Sequence, residues 1–303
     1  MYLQGFVDPT LAPSKNVVWV YEHGARIRKA SPRKVARDTF FYSIPPDEAP
    51  TPEAANPHWI ERTIGLLESH TASTLEKLRL GNIELTEQEK GEFAGFMALT
   101  MCRTPFFLQS VERVVIANAL QNASELVDDA DELAARLRRL GTQGKGLEVE
   151  TVQDAFRALL SGRVKMQLAG KAWSMKAIFQ AVNPRMDLFA SLRWVLLDAP
   201  PGHTFLTSDN PVIVQDPGAM HRDPPGSGWT IAVQFFFPVS RDKLLMGRVD
   251  SGPDERGVIQ LPSFHAITSL SLDRAHRQVF ASYRSETLQG SVDWAHSRRN
   301  PTF

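Results

Sequence analysis

"HTFLTSDNPVIVQ", residues 203–215, poses the central question of this chain. Apolar Phe205 and Leu206 lead into four small polar residues, Thr207, Ser208, Asp209 and Asn210. After Pro211 an apolar run resumes with Val212, Ile213 and Val214. A plain hairpin would use an Asn-Gly or Asp-Gly pair, and none is present. Asp and Asn side chains bond nearby backbone amides, and Pro211 fixes the exit while disfavouring a helical Asn210, so the run reads as an Asx-type turn between two strands. It reads equally as a site. Asp209 would be a carboxylate held rigidly at the end of a core strand, with Thr207, Ser208 and Asn210 positioned to orient a substrate.

Outward from this run, the strand-like period begins near residue 192. "RWVLLDAP", "WTIAVQFFFPVS", "DKLLMGRV" and "RQVFASY" read as strands, with one helix-like piece near 263–276. Upstream the period is helical. Residues 57–80 carry Ile60, Ile64, Leu67, Thr71, Leu75 and Leu78 on one stripe, with Pro57 behind Asn56 as a start signal. "LTEQEKGEFAGFMALTMCRTP" opens on the capping-box pattern of Thr86 and Glu89. Its later part is apolar on every side, so that helix belongs in the interior. Helical patterns follow at 107–140, 151–161 and 164–181, with "GTQGKG" as a loop. At the N-terminal end, "NVVWVYEHGARIRKA" reads as two strands about His23-Gly24, and Phe40, Phe41 and Tyr42 as a core anchor. "PPDEAPTPEAANP" reads as an extended connector. The expected class is α+β: an N-terminal β-hairpin (1–45), a helical middle (57–190) and a mainly antiparallel sheet (192–303) packed on the helices, in a single domain of 1–303.

Of 303 residues, 43% are hydrophobic and 22% charged, which is enough apolar material for a sizeable core. Lys+Arg and Asp+Glu both number 34, so no global field draws the chain to nucleic acid or an acidic membrane. The single cysteine, Cys102, excludes an internal disulfide and fits a reducing compartment. No apolar run approaches the roughly 20 residues of a membrane span, and the first residues lack a secretory pattern. The expectation is a soluble cytoplasmic protein that does not engage membranes.

Three further features bear on function. Arg103 ends the all-apolar helix and precedes Pro105, so it either caps the helix or needs an anionic partner. Glu68 and Glu61 sit seven apart on one flank of the 57–80 pattern, as solvent-rim charges or as inward groups facing Arg103 and Asp209. The run "RIRKASPRKVAR" (26–37) holds Arg26, Arg28, Lys29, Arg33, Lys34 and Arg37 without an acid. It is either a charged, protected strand edge or a surface for phosphates. The eight histidines are scattered, with His23 in a turn and His203 before the "FLTSDNP" strand, and none has the spacing of a helical zinc site. "TQGKG" lacks the P-loop spacing, there is no Gly-x-Ser-x-Gly elbow, and Cys102 reads as core.

Tyr2-Leu3 through Phe6, "VWVYE", "SPRKVARDTFFYS", Glu68, "MCRTP" and above all "FLTSDNPV" resemble the bacterial family called domain of unknown function 4238. The resemblance spans nearly the whole chain, and "TSDNPV" and "RTP" are its most specific parts. Members usually begin with His-Tyr-Val-Pro just before the segment matching Tyr2 to Phe6; here the chain starts at Met1 and that histidine is absent. The resemblance implies a fold and a residue list without an activity.

Two functions remain open at this point. One is a hydrolase, such as a nuclease or other phosphate-ester enzyme, with Asp209, Glu68 and Arg103 as catalytic residues and room for one divalent metal ion. Thr207, Ser208, Asn210, Arg28 and Arg33 would bind its substrate. The other is a non-catalytic binding module for nucleic acid or an acidic protein partner, docking through residues 26–37. An open pocket shared by Asp209 and Glu68 favours the first; a sealed, fully paired knot favours the second.

Overall fold

The computed structural model describes residues 2–11, 16–35, 59–140, 146–166, 171–215 and 234–299. Phe40, Phe41 and Tyr42, Arg37, the proline-rich connector, the side chain of Glu61 and most of "GTQGKG" lie outside the described residues.

A 3-10 turn, Tyr2–Phe6, comes first, followed by the hairpin β1 (Val18–Glu22) and β2 (Arg28–Ala30). Gly24 takes φ +67° at the hairpin tip, where a side chain would be strained. Six helices of the middle region come next: α1 (Trp59–His70), α2 (Ala72–Arg79), α3 (Glu87–Cys102), α4 (Pro105–Leu126), α5 (Ala130–Arg139) and α6 (Val149–Leu160). After α7 (Lys171–Ser191) come β3 (Arg193–Asp198), β4 (Thr207–Ser208), β5 (Ile213–Gln215), β6 (Gln234–Pro238), β7 (Lys243–Arg248) and β8 (Glu255–Val258). Helix α8 (Leu261–Arg274), β9 (Gln278–Ala281) and α9 (Glu286–Arg299) complete the order.

The strands form two sheets rather than one C-terminal sheet beside a separate hairpin. The order β2-β1-β9-β4 makes a four-stranded sheet, and β5-β6-β7-β3-β8 makes a five-stranded one. Among the described residues only β3 and β8 pair in parallel; every other pairing is antiparallel. β1 meets β9 through Trp19↔Ala281 and Tyr21↔Val279, so the first strand and the last share a ladder. β4 and β5, the two strands of the "HTFLTSDNPVIVQ" run, go to different sheets. The polar residues between them are the crossover.

The largest core lies between α3, α7 and the five-stranded sheet. Phe93, Phe96 and Met97 of α3 pack with Phe189 of α7 and with Trp194, Phe235 and Phe237 of the sheet. The expectation of a helix apolar all round holds for α3, whose residues from Phe93 to Ala98 are buried without interruption. Gly95 permits the close approach of α7: a Cβ there would stand 3.2 Å from Met186 Sδ. Across the sheet, Gly247 leaves room for the Phe235 ring, which a Cβ would meet at 2.0 Å.

Several boundaries differ from the periodic reading for local reasons. The 57–80 pattern is two helices, broken at Thr71, whose hydroxyl donates to Leu67 O at 2.9 Å, a back-bond that bends helices. The 107–140 pattern divides where Asp129 caps α5, its carboxylate accepting from Glu132 N at 2.9 Å. Helix α7 runs through Pro184 to Ser191, because packing on α3 outweighs the local cost of proline. Strand β8 and helix α9 have no counterpart in the sequence pattern described above. β8 is exposed and does not alternate, whereas α9 buries Leu288, Val292 and Ala295.

Candidate functional site

The crossover is built from four side chains with four separate tasks. Thr207 Oγ1 lies 2.7 Å from Tyr2 Oη, which itself donates to Pro238 O at 2.6 Å. Because the phenol has one hydrogen, Thr207 is the donor of this pair. Tyr2 thereby bridges β4 in one sheet to β6 in the other, and its ring stacks on Phe237 with centroids 5.0 Å apart. Burial raises the Tyr2 hydroxyl well above the usual phenol range, against the pull of Thr207 and Arg79. Ser208 Oγ accepts from Asn210 N at 3.1 Å and donates to Asn210 O at 3.0 Å. Asn210 Nδ2 donates to Arg274 O at 3.0 Å, satisfying a carbonyl at the end of α8.

Asp209 holds the start of β9. Its Oδ1 accepts from His276 N at 2.8 Å, and its Oδ2 accepts from Arg277 N at 2.7 Å and Gln278 N at 2.9 Å. Its own N–H donates to Gln278 O at 3.0 Å. Burial pushes the carboxyl up, and the amides of Gln278, Arg277 and His276 pull it back without cancelling that push.

Glu68 and Arg103 are brought together, while the Asp209 carboxylate bonds to the backbone at the start of β9. Arg103 Nη1 donates to Glu68 Oε1 at 3.2 Å, joining α1 to the corner between α3 and α4. The pair is partly exposed, with side-chain accessibilities of 25% for Arg103 and 36% for Glu68, so it is a rim contact rather than a buried one. The Arg-Thr-Pro run is that corner. Arg103 is the C-cap of α3, Thr104 the N-cap of α4, and Pro105 its first residue. Thr104 Oγ1 accepts from Phe107 N at 3.1 Å and donates to Met101 O at 2.9 Å. Cys102 is buried, and that burial pushes its thiol up to about 12, so it is no nucleophile near neutrality. Among the described residues no group of three or more His, Cys, Asp or Glu is placed to hold a metal ion, and no helix is long and apolar enough to cross a membrane.

A family described as "Protein of unknown function (DUF4238)" matches residues 1–285. The chain belongs to this family. The DUF4238 match takes in the crossover, the Arg-Thr-Pro corner and the hairpin, and stops one residue short of α9. No curated protein and no solved structure matches the chain.

The basic hairpin is the remaining feature. β2 is an edge strand of its sheet, and Arg26, Arg28, Lys29, Arg33 and Lys34 are all exposed. Lys29 Nζ stands 4.8 Å from the Trp19 ring centroid, while Trp19 Nε1 donates to Asp8 Oδ2 at 2.8 Å. Among the described residues Arg26, Arg28, Arg33 and Lys34 make no ion pair. The nearby acid Glu22 is paired with Arg277.

Two groups without a motif of their own also shape this DUF4238 chain. Arg79 donates from Nε to Val239 O at 3.0 Å and from Nη2 to Tyr2 O at 2.6 Å, tying the N-terminal turn to the end of β6. At the hairpin tip, Asp293 Oδ1 accepts from Gly24 N at 3.0 Å and lies 3.1 Å from His23 Nδ1. Spacing within the sequence gives no cue to either, since the partners are 77 or more positions apart.

Proposed function

We propose that this chain binds a polyanion, the phosphate backbone of nucleic acid, through the arginine- and lysine-rich edge at residues 26–34. The supporting observation is that five exposed cations lie on one edge strand or within four residues of it, and none of them makes an ion pair among the described residues. Unneutralised cations at this density release condensed counterions on meeting phosphates, which is the main source of backbone affinity. The chain's zero net charge keeps this attraction local.

The hydrolytic reading, with Asp209, Glu68 and Arg103 as catalytic residues and a divalent metal as helper, asks for a carboxylate free to accept a proton or a metal. Asp209's two oxygens already accept three backbone N–H bonds, and Glu68 is satisfied by Arg103 at the rim. Both arrangements favour joints of the fold over reacting groups.

Fluorescence anisotropy with a labelled duplex oligonucleotide, from about 50 to 200 mM salt, tests the proposal. Binding should weaken steeply with salt. The triple variant Arg28→Ala, Arg33→Ala, Lys34→Ala should flatten the log–log slope by roughly 2–3, close to 0.9 for each phosphate that is no longer neutralised. No binding at low salt, or an unchanged slope in the variant, would overturn it.

A further inference from the structure

The hairpin tip carries a second feature that rests on this reading. His23, one residue beyond β1, stacks on His296 of α9 with ring centroids 4.2 Å apart and planes 17° from parallel. Asp293, one turn before His296, takes Gly24 N–H, a Gln289 Nε2–H at 3.1 Å and the His23 Nδ1 side. Other charged groups nearby are Glu22 of β1, Arg277 of β9 against it, and Arg28 of β2, whose charge also acts on Glu22. Arg298 turns away, lying over Trp294 on the far flank of α9. Burial opposes ionisation of Asp293, but its three donors outweigh that and hold its carboxyl below the usual range.

We infer that the stacked His23–His296 pair makes phosphate binding by the basic edge proton-dependent, adding one positive charge at the hairpin tip on acidification. Asp293 faces His23 at 3.1 Å and is an anionic partner for a charged ring there. Two charged rings face to face at 4.2 Å repel one another, so the stack favours a single added charge. That charge appears three residues from Arg26 and at the end of the edge that would track a phosphate backbone. His296 and Asp293 lie beyond the region matched by the DUF4238 family.

The test is anisotropy with the same labelled duplex at constant ionic strength, at pH 8, 7, 6 and 5. The wild type should bind roughly three- to ten-fold more tightly at pH 5 than at pH 8, the span expected from one added phosphate-facing charge. His23→Gln combined with His296→Gln should flatten that dependence while leaving affinity at pH 8 within about two-fold. A parallel NMR titration of the ring protons should show the pair gaining charge between pH 8 and 5, and rings that stay neutral across that range overturn the inference. Binding at pH 8 without strengthening on acidification, or a pH dependence that survives in the double variant, overturns this inference alone. Absence of binding at every pH overturns it together with the nucleic-acid reading.

Discussion

Asp209→Asn keeps the size of the side chain but replaces two carboxylate oxygens, which accept three backbone bonds, with one amide oxygen. At least one N–H at the start of β9 then faces an NH2 group. Hydrogen bonds to a charged acceptor contribute about 1.5–3 kcal/mol, and an orphaned buried donor costs a similar amount. The variant should lose about 2–4 kcal/mol, read from a urea melt; a loss under about 0.5 kcal/mol would make Asp209 a candidate reacting group again. Glu68→Gln touches only a half-exposed pair and should cost about 1 kcal/mol or less. Tyr2→Phe removes both bonds of the hydroxyl that bridges the sheets and leaves Pro238 O and Thr207 without it. We expect a loss of about 1–3 kcal/mol, with Thr207→Val coupled to it in a double-mutant cycle by more than about 0.5 kcal/mol. Additive losses would mean that the bridge does not act as a unit.

At the scale of elements, Gly247→Ala is the sharpest probe. The added methyl would stand 2.0 Å from the ring of Phe235, itself fully buried between Phe189 and Trp194. Overpacking of this kind costs about 1–3 kcal/mol or more. A melt of the variant indistinguishable from wild type would contradict the packing described for β6 and β7. Long periodic elements are legible in the sequence. The capping box of Thr86 and Glu89, the all-apolar face of α3 and the strands β3, β6, β7 and β9 each carry their own local signal. What is not legible is set by tertiary contact. Proline at 184 signals an end that packing on α3 overrides, and β8 follows its neighbour β3 rather than any alternation of its own. The crossover is half legible: a turn can be read from its polar run, but the side chain that bonds locally is Ser208, not Asp209 or Asn210, which reach to 274–278 instead.

For the whole molecule, acid should unfold the chain by a sum of depressed carboxyls. Asp8, Glu22, Glu89, Asp198 and Asp293 are each held below their ordinary values of 3.8 for Asp and 4.5 for Glu, their donors outweighing burial. A carboxyl that is lower in the fold than in the unfolded chain adds stability above the unfolded value, and that stability is lost as pH falls through the folded value. Asp209 has the opposite sign: its raised carboxyl contributes fully below its unfolded value and less as pH rises. Five against one, the denaturant midpoint should fall steadily from about pH 5 toward pH 2. A midpoint that rose on acidification would mean that the Asp209 knot outweighs the other five.

The ladder between β1 and β9 bears on how the chain is made. Trp19 finds Ala281 across 262 positions, so the four-stranded sheet cannot close on the ribosome until the last strand has been synthesised. At about 5–20 residues per second, the hairpin waits roughly 13–50 s with one side of β1 unpaired. During that wait Val18, Val20 and Tyr21 have no sheet to bury them. Ribosome-bound chains stalled before residue 278 should therefore leave the hairpin sensitive to protease, and chains stalled far enough beyond residue 281 for β9 to clear the exit tunnel should protect it.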